Sequence, residues 1–381
     1  MLEKSKVFPL VPGLVGLYLV WRYVSRLPLG LPIRCLLSLL LMGLIEHHWL
    51  VSRFFGTIAS PEIPRLAIMG LGTVFGALML LAAALLIKDV IGLGQWLLTR
   101  QAGIWRRPPG AWTHALALVC LVLAGIGVWQ GTRQPALRQM DVAIAGLAPE
   151  FEGYRIAHLT DLHTSSLLRG PWLAEVVART NAAQPDLIVI SGDLVDGTPQ
   201  ARAQDYPAFG HLRAADGVFG VTGNHDYYQG YPQWLDVFGQ QGIHMLMNTH
   251  VVLRRGQGEL VLAGVTDQIA PTRDAAGPDV AQALAGRPRG AAVVLLDHRP
   301  GAARANRAAG ADLQLSGHTH GGHILGMDRI VARFNGGFVS GRYDVDGGQL
   351  YVSNGAGLWP GFPLRLGRPS EITVMTLRAA P

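Results

Sequence analysis

Asp186-Leu187-Ile188-Val189-Ile190-Ser191-Gly192-Asp193 is an apolar, β-branched run that ends on a glycine and a carboxylate. Four other stretches share this grammar. Arg155 to Thr160 runs into Asp161-Leu162-His163, and Gly217 to Val221 runs into Gly223-Asn224-His225-Asp226. Ala291 to Leu296 runs into His298, and Asp312 to Leu315 runs into Gly317-His318-Thr319-His320. Short apolar runs bounded by Gly, Asn and Asp read as buried strands. Helical stretches such as Trp172 to Asn181 and Asp279 to Ala285 separate them, which predicts βαβ units and an α/β domain. In such sheets ligands gather beyond the carboxyl ends of the strands, so five loops are expected to converge on one crevice.

Each motif alone is weak. A lone Gly-Asp after a strand is usually a turn in which the carboxylate bonds its own backbone. Gly-His-Thr-His-Gly-Gly is the most specific, because two histidines at i and i+2 between glycines have little structural use. Taken in order, the set offers hard oxygen and imidazole ligands of the kind a two-metal site for cleaving phosphate esters needs. Thiolate is missing from the set, and the mixed O/N chemistry suits Mn, Fe or Zn equally. His158, His211, His244 and His250 lack ligand spacing and read as packed or solvated. His323 lies close enough to His320 to line a pocket. Asp196, the second acid of Gly192 to Asp196, reads equally as a ligand or as a support for one.

With these residues in place, the chain resembles the calcineurin-like metallophosphoesterase superfamily, whose pattern is D-x-H, G-D, G-N-H-D/E, H and G-H-x-H. Its bacterial membrane-associated, YkuE/YaeI-like branch is the nearest in pattern. The resemblance covers roughly residues 145–378 and includes Pro185 to Asp193, Leu313 to Gly322, Leu350 to Gly357 and Pro363 to Ile372. Thr160 stands where Ser is usual and His323 where Gln is usual; neither change removes a ligand. The resemblance implies a β-sandwich flanked by helices. It also implies one metal on Asp161, His163 and His320, a second on Asn224, His298 and His318, and Asp193 bridging both. A metal-bridging hydroxide would attack phosphorus, with His225 as general acid and Asp226 orienting its ring. Some relatives cleave UDP-2,3-diacylglucosamine, which would require a cytoplasmic site.

The first third of the chain is different. Apolar runs near residues 9–28, 33–52, 66–87 and 111–129 predict about four transmembrane helices, the first being the shortest because Arg22 interrupts it. The expected organisation is a membrane domain over 1–130, a linker over 131–138 and a catalytic domain over 139–381. Residues 1–138 hold 13 Lys+Arg against 4 Asp+Glu, while 139–381 hold 19 Arg against 22 Asp+Glu and no lysine. The basic excess therefore belongs to membrane flanks, and the catalytic domain lacks the basic face of a nucleic-acid binder. Its partners are expected to be the bilayer and a phosphorylated, lipid-linked substrate.

Arg22, Arg26, Arg34, Lys88, Arg100, Arg106 and Arg107 flank one side of the spans, and Lys4, Lys6, Arg53, Arg65, Arg133 and Arg138 the other. The tightest cluster precedes the fourth span, which places that loop in the cytoplasm and the catalytic domain outside it. Cys35 and Cys120 both lie in spans and report no compartment. Arginine-dominated usage fits a bacterial cell membrane protein. Three functions are compatible with this reading: a phosphodiesterase or pyrophosphatase, a phosphomonoesterase or protein phosphatase, and a non-catalytic membrane metal-binding module. The intact ligand set with His225 argues against the last. Two apolar stretches, Leu167 to Trp172 and Leu358 to Leu364, are candidate lips facing lipid.

Overall fold

The computed structural model describes residues 10–100 and 110–380. Lys4, Lys6, Arg106 and Arg107, which enter the orientation argument, lie outside the described residues, as does the start of the first expected span. The chain divides into two units, residues 1–129 with Pro360–Leu364, and Gln130–Trp359 with Arg365–Pro381.

The first unit is helical: α1 (Leu10–Arg22), α2 (Leu31–Ile45), α3 (His47–Phe54), α4 (Arg65–Thr99) and α5 (Ala111–Thr132). Two of these, α4 with 35 residues and α5 with 22, are long and apolar enough to cross a bilayer. A third crossing is available only if α2 and α3, bent by 57° at Glu46, act as one broken span. Among the described residues, two or three of the four expected spans are thus long and apolar enough to cross. The 13 residues of α1 reach about 20 Å at 1.5 Å per residue, short of a hydrocarbon core of about 30 Å. Leu19, Ile45, Phe75, Leu81, Leu85 and Cys120 pack together inside this unit, and Phe362 packs against them. Asp89 of α4 accepts from Tyr18 Oη at 2.8 Å and Arg22 Nε at 2.6 Å, so these polar groups satisfy one another.

The second unit holds two six-stranded mixed sheets. Its strands are β1 (Ala136–Ile144), β2 (Arg155–Leu159), β3 (Leu187–Ser191), β4 (Val218–Val221), β5 (Ile243–Met245), β6 (Thr249–Arg255), β7 (Gly258–Gly264), β8 (Ala292–Leu296), β9 (Leu313–Ser316), β10 (Gly341–Val345), β11 (Gly348–Val352) and β12 (Glu371–Ala379). The orders are β1-β12-β2-β3-β4-β5 and β10-β11-β9-β8-β7-β6. The expected linker is partly strand: residues 136–138 already pair in parallel with Glu371, Ile372 and Thr373. Its helices are α6 (Gly170–Ala182), α7 (Tyr231–Gln240), α8 (Val280–Ala283), α9 (Ala303–Ala308) and α10 (Asp328–Arg333).

Strand alternation builds the core. Val294 and Leu296 of β8 meet Leu187, Val189, Phe219 and Val221 between the sheets. Their neighbours Val293 and Leu295 face outward onto Ala283 and Leu284. With side chains alternating faces, a strand buried on both sides must be apolar throughout, as β3 and β8 are. The pairs β2–β3, β3–β4, β7–β8 and β8–β9 are parallel, so each sheet sends the carboxyl ends of its central strands the same way.

Candidate active site

Every candidate ligand sits just past one of those strand ends. Asp161 lies two residues beyond β2, Asp193 two beyond β3, Asn224 three beyond β4, and His298 two beyond β8. His318 and His320 follow β9 by two and four residues. The loops are tied by their backbones: Asp161 N–H donates to Gly192 O at 3.0 Å, and His163 N–H to Asp193 O at 3.1 Å. Gly317 is required here, since a Cβ would collide with Thr160 and the Asp161 carboxylate. Asp161, His163, Asp193, His318 and His320 all adopt left-handed backbone, with φ of 51°, 45°, 52°, 69° and 49°. Such φ values are uncommon for side-chain-bearing residues and mark functional turns.

Three groups could each hold a metal ion: Asp161 with His163 and His320, Asp193 with His298 and His318, and His163 with Asp193 and His225. In the first group, His320 Nε2 is 3.5 Å from Asp161 Oδ1 and 3.3 Å from His163 Nε2. Asp193 Oδ2 lies 3.6 Å from His163 Nε2 and 3.3 Å from His298 Nε2, so one carboxylate oxygen touches both clusters. Asn224 Nδ2 donates to Tyr228 Oη at 3.0 Å.

Whether these residues fit metal ions is answered by what their atoms lack. Asn224 Oδ1 and His318 Nδ1 are buried without a hydrogen-bond partner, and His298 Nε2 faces the Asp193 carboxylate at 3.3 Å. These three residues are the set expected to hold the second ion. His298 Nδ1 meets Ser191 O at 2.8 Å, so in the neutral ring Nε2 carries the lone pair a metal needs. Buried polar atoms are rarely left unpaired, so Asn224 Oδ1 and His318 Nδ1 suit a metal ion held with Asp193 and His298.

Electrostatics favour His318 and His320 as neutral ligands, whereas at His298 a metal must displace a proton. Burial holds His318 and His320 well below the usual histidine range, which keeps them neutral, the form a metal requires. Burial opposes ionisation of Asp193, but His298, His225 and His163 outweigh it and hold the carboxylate well below its usual range. His298 is pushed up to about 10 because Asp193 and Asp161 overcome its burial.

The ring of His225 is oriented by Asp196, and this corrects the expectation for Asp226. His225 Nδ1 meets Asp196 Oδ1 at 2.5 Å, and the other oxygen meets His163 Nδ1 at 3.0 Å. Asp226 instead turns inward and accepts from the backbone N–H groups of Asp193, Leu194, Val195 and Gly223 at 2.8–3.2 Å. It holds the loop that carries Asp193. His225 also donates its backbone N–H to Asp193 Oδ1 at 2.8 Å. Burial lowers the His225 pKa, but Asp196 and Asp193 push it up to about 9, leaving the ring protonated near neutrality.

Three neighbours of the site were not read as site residues from the sequence. Tyr228 and Trp359 flank the His225 ring at centroid distances of 4.8 and 5.7 Å. Arg365 is buried and donates to the carbonyls of His320, Asn354 and Gly357 at 3.1, 2.5 and 2.9 Å. Tyr228 stands four residues after Asn224, a helical-turn spacing that could have drawn notice. Trp359 and Arg365 reach the site only through the tertiary fold. His158 is buried against Ser191 Oγ at 2.7 Å, and His250 bonds Ala283 O at 2.7 Å. The His323 ring lies tilted against His320, 5.0 Å between centroids. Leu167, Leu168 and Trp172 are buried and so form no lip; Leu358 and Leu364 are buried as well.

Paired carboxylate–imidazole clusters at the strand ends of a two-sheet α/β domain define a metal-dependent phosphoesterase. The chain belongs to the calcineurin-like phosphoesterase family, which it matches over residues 154–322. It is similar to an uncharacterised metallophosphoesterase of Campylobacter jejuni, 33% identical over 262 residues that take in 68% of this chain and 67% of that one. It is also 33% identical over 239 residues to the uncharacterised metallophosphoesterase YkuE of Bacillus subtilis, covering 60% of this chain and 80% of that one. A transmembrane protein with metallophosphoesterase domain from Danio rerio is 28% identical over 369 residues, 94% of this chain and 81% of that one.

Proposed function

We propose that the chain is a membrane-anchored, dinuclear-metal phosphoesterase that hydrolyses phosphodiester or pyrophosphate bonds of a lipid-linked or cell-envelope substrate. The observation that carries the dinuclear reading is the pair of ligand groups, Asp161 with His163 and His320 and Asp193 with His298 and His318, with Asn224 Oδ1 and His318 Nδ1 left buried without a hydrogen-bond partner. Asp193, whose Oδ2 lies near both, is the bridging ligand in this reading. Two divalent ions bound there supply an activated hydroxide and neutralise charge on the phosphoryl oxygens.

The residues of the chain divide the remaining work. His225, protonated and oriented by Asp196, gives its proton to the leaving oxygen. Tyr228 and Trp359 border the same ring, so the leaving group departs along an aromatic wall. That wall supports a diester or pyrophosphate, whose leaving group has a body to bind, over a simple monoester. The two or three apolar helices support an anchored enzyme and hence a substrate available at the bilayer. Positive-inside charge placement supports a catalytic domain outside the cytoplasm.

The test uses the full chain in detergent micelles, stripped of metal and resupplied with Mn²⁺, acting on bis-p-nitrophenyl phosphate and p-nitrophenyl phosphate. Metal-dependent turnover favouring the diester upholds the reading. A preference for the monoester replaces it with a phosphatase.

A further inference from the structure

The catalytic unit is well covered except in one place. Among its described residues, the large apolar side chains left exposed are Leu137, Leu325, Met327, Ile330 and Phe334. Four of the five fall within ten residues, and Phe334 is the most open at 81%. They belong to α10 and its lead-in, and none of the six α10 residues is buried. Met327, Ile330 and Phe334 follow i, i+3 and i+7 spacing, so they share one face. Arg329 and Arg333 are exposed on the same short helix and take part in no ion pair among the described residues.

This apolar face is held out on a firm base. Asp328 is paired with Arg368 at 2.6 Å, and its Oδ1 accepts from Gly326 N–H at 3.0 Å. Leu325 N–H donates to Leu366 O at 2.9 Å, and Leu366 N–H to His323 O at 2.9 Å. At Gly322, two residues past ligand candidate His320, an added Cβ would sit 2.6 Å from Asp328 Cα. The helix is thus seated directly against the loop that carries His318 and His320.

We propose that residues 325–334 form an interfacial element by which the catalytic unit docks onto an anionic phospholipid surface. A concentrated apolar patch on an otherwise covered domain marks an interaction surface. A short amphipathic helix with Phe, Ile, Leu and Met on one face and arginines beside it suits the boundary between acyl chains and phosphate headgroups. A bilayer is the occupant nearest to hand for a chain whose helices expose apolar residues along lengths sufficient to cross one. Docking here would bring the metal-binding loop down to headgroup level, where a lipid-linked phosphate ester presents itself. The inference rests on the membrane reading of α4 and α5 and goes beyond the proposed chemistry.

The test labels the full chain with a nitroxide at Ile330→Cys or Phe334→Cys, in a background where Cys35 and Cys120 are replaced by Ser. The protein is placed in nanodiscs of phosphatidylcholine, with and without phosphatidylglycerol. Accessibility to oxygen above that to a nickel chelate, increased by phosphatidylglycerol and reduced by Arg329→Gln with Arg333→Gln, is the expected result. A label open to the nickel chelate overturns docking. So does a label shielded from both reagents, or dipolar broadening between copies, since either means protein covers the patch. A label at Leu118→Cys, exposed on α5, separates the two readings. Lipid contact at Leu118 with water at Ile330 removes docking alone, whereas water at both removes the membrane reading too.

Discussion

Asp196 Oδ1 lies 2.5 Å from His225 Nδ1 while its second oxygen lies 3.0 Å from His163 Nδ1, so one carboxylate positions both the candidate acid and a candidate ligand. Its own pKa is lowered, since His163 and His225 outweigh its burial. Asp196→Asn is expected to cut turnover by about 10–100-fold, the usual cost of losing a carboxylate behind a ligating histidine. It should also move the alkaline limb of the pH–rate profile to lower pH, because His225 loses the charge that keeps it protonated. Asp226→Asn should leave that limb in place and act on stability instead, costing about 1–3 kcal/mol through the loop bonds it makes. An unchanged limb in Asp196→Asn would remove its role.

Asp193→Asn should abolish metal binding and activity together, measured by metal analysis of the purified chain and by bis-p-nitrophenyl phosphate hydrolysis. His225→Ala should keep its metal and lose about 10²–10⁴ in turnover, the range for a general acid. Loss of metal from His225→Ala would make His225 a ligand, an option its place beside His163 and Asp193 allows.

Protons and metal compete for His298. Its pKa is raised from the ordinary value to about 10, and that of His225 to about 9. A raised histidine contributes stability that is complete below its unfolded value of about 6.5 and is lost as pH climbs through the folded one. The metal-stripped protein should therefore lose melting temperature between about pH 7 and pH 10. Resupplied metal should flatten that decline, since the neutral ring is the ligand, and proton release on binding should be seen by calorimetry in buffers of different ionisation enthalpy. A stripped protein that grows more stable over this interval would contradict the assignment.

Arg365 holds the carbonyls of His320, Asn354 and Gly357 in a place no water-exposed cation would choose. Burial pulls its pKa down to about 10 despite Asp161 and Glu371. Arg365→Met strands those carbonyls and should destabilise the domain by about 3–5 kcal/mol, the range for breaking a buried charged network. Arg365→Lys should recover part of the stability while keeping Mn²⁺ affinity low, because a point charge cannot span three acceptors. Denaturant melts with metal titrations would check both.

The strands that carry ligands were legible because each is buried on both faces and must be apolar throughout, with Gly, Asn or Asp forced at its end. The runs before Asp161, Asp193, Asn224, His298 and His318 all proved to be strands. Strand β10, with exposed and half-buried residues alternating, and β1, mostly exposed, carry no such run, so the second sheet's edge and the strand start at Ala136 stayed hidden. Asp196 and Asp226 show the limit at the site. Both are single acids near a ligand, and only the turn after β3 decides that the nearer in sequence to His225 faces away. Hydropathy gave no sign of the 57° bend at Glu46 within the second expected span.

Five of the candidate ligands stand on left-handed backbone that glycine would adopt freely. The fold therefore carries conformational strain at the very residues that do its chemistry. Glycine at His318 would relax the chain while erasing a ligand, so a dead enzyme is as abundant, as soluble and as hard to unfold as the living one. Expression level and melting point are then blind to loss of function in this protein, and a survey of its natural variants that sorts them by those two measures would file some inactive forms among the fittest.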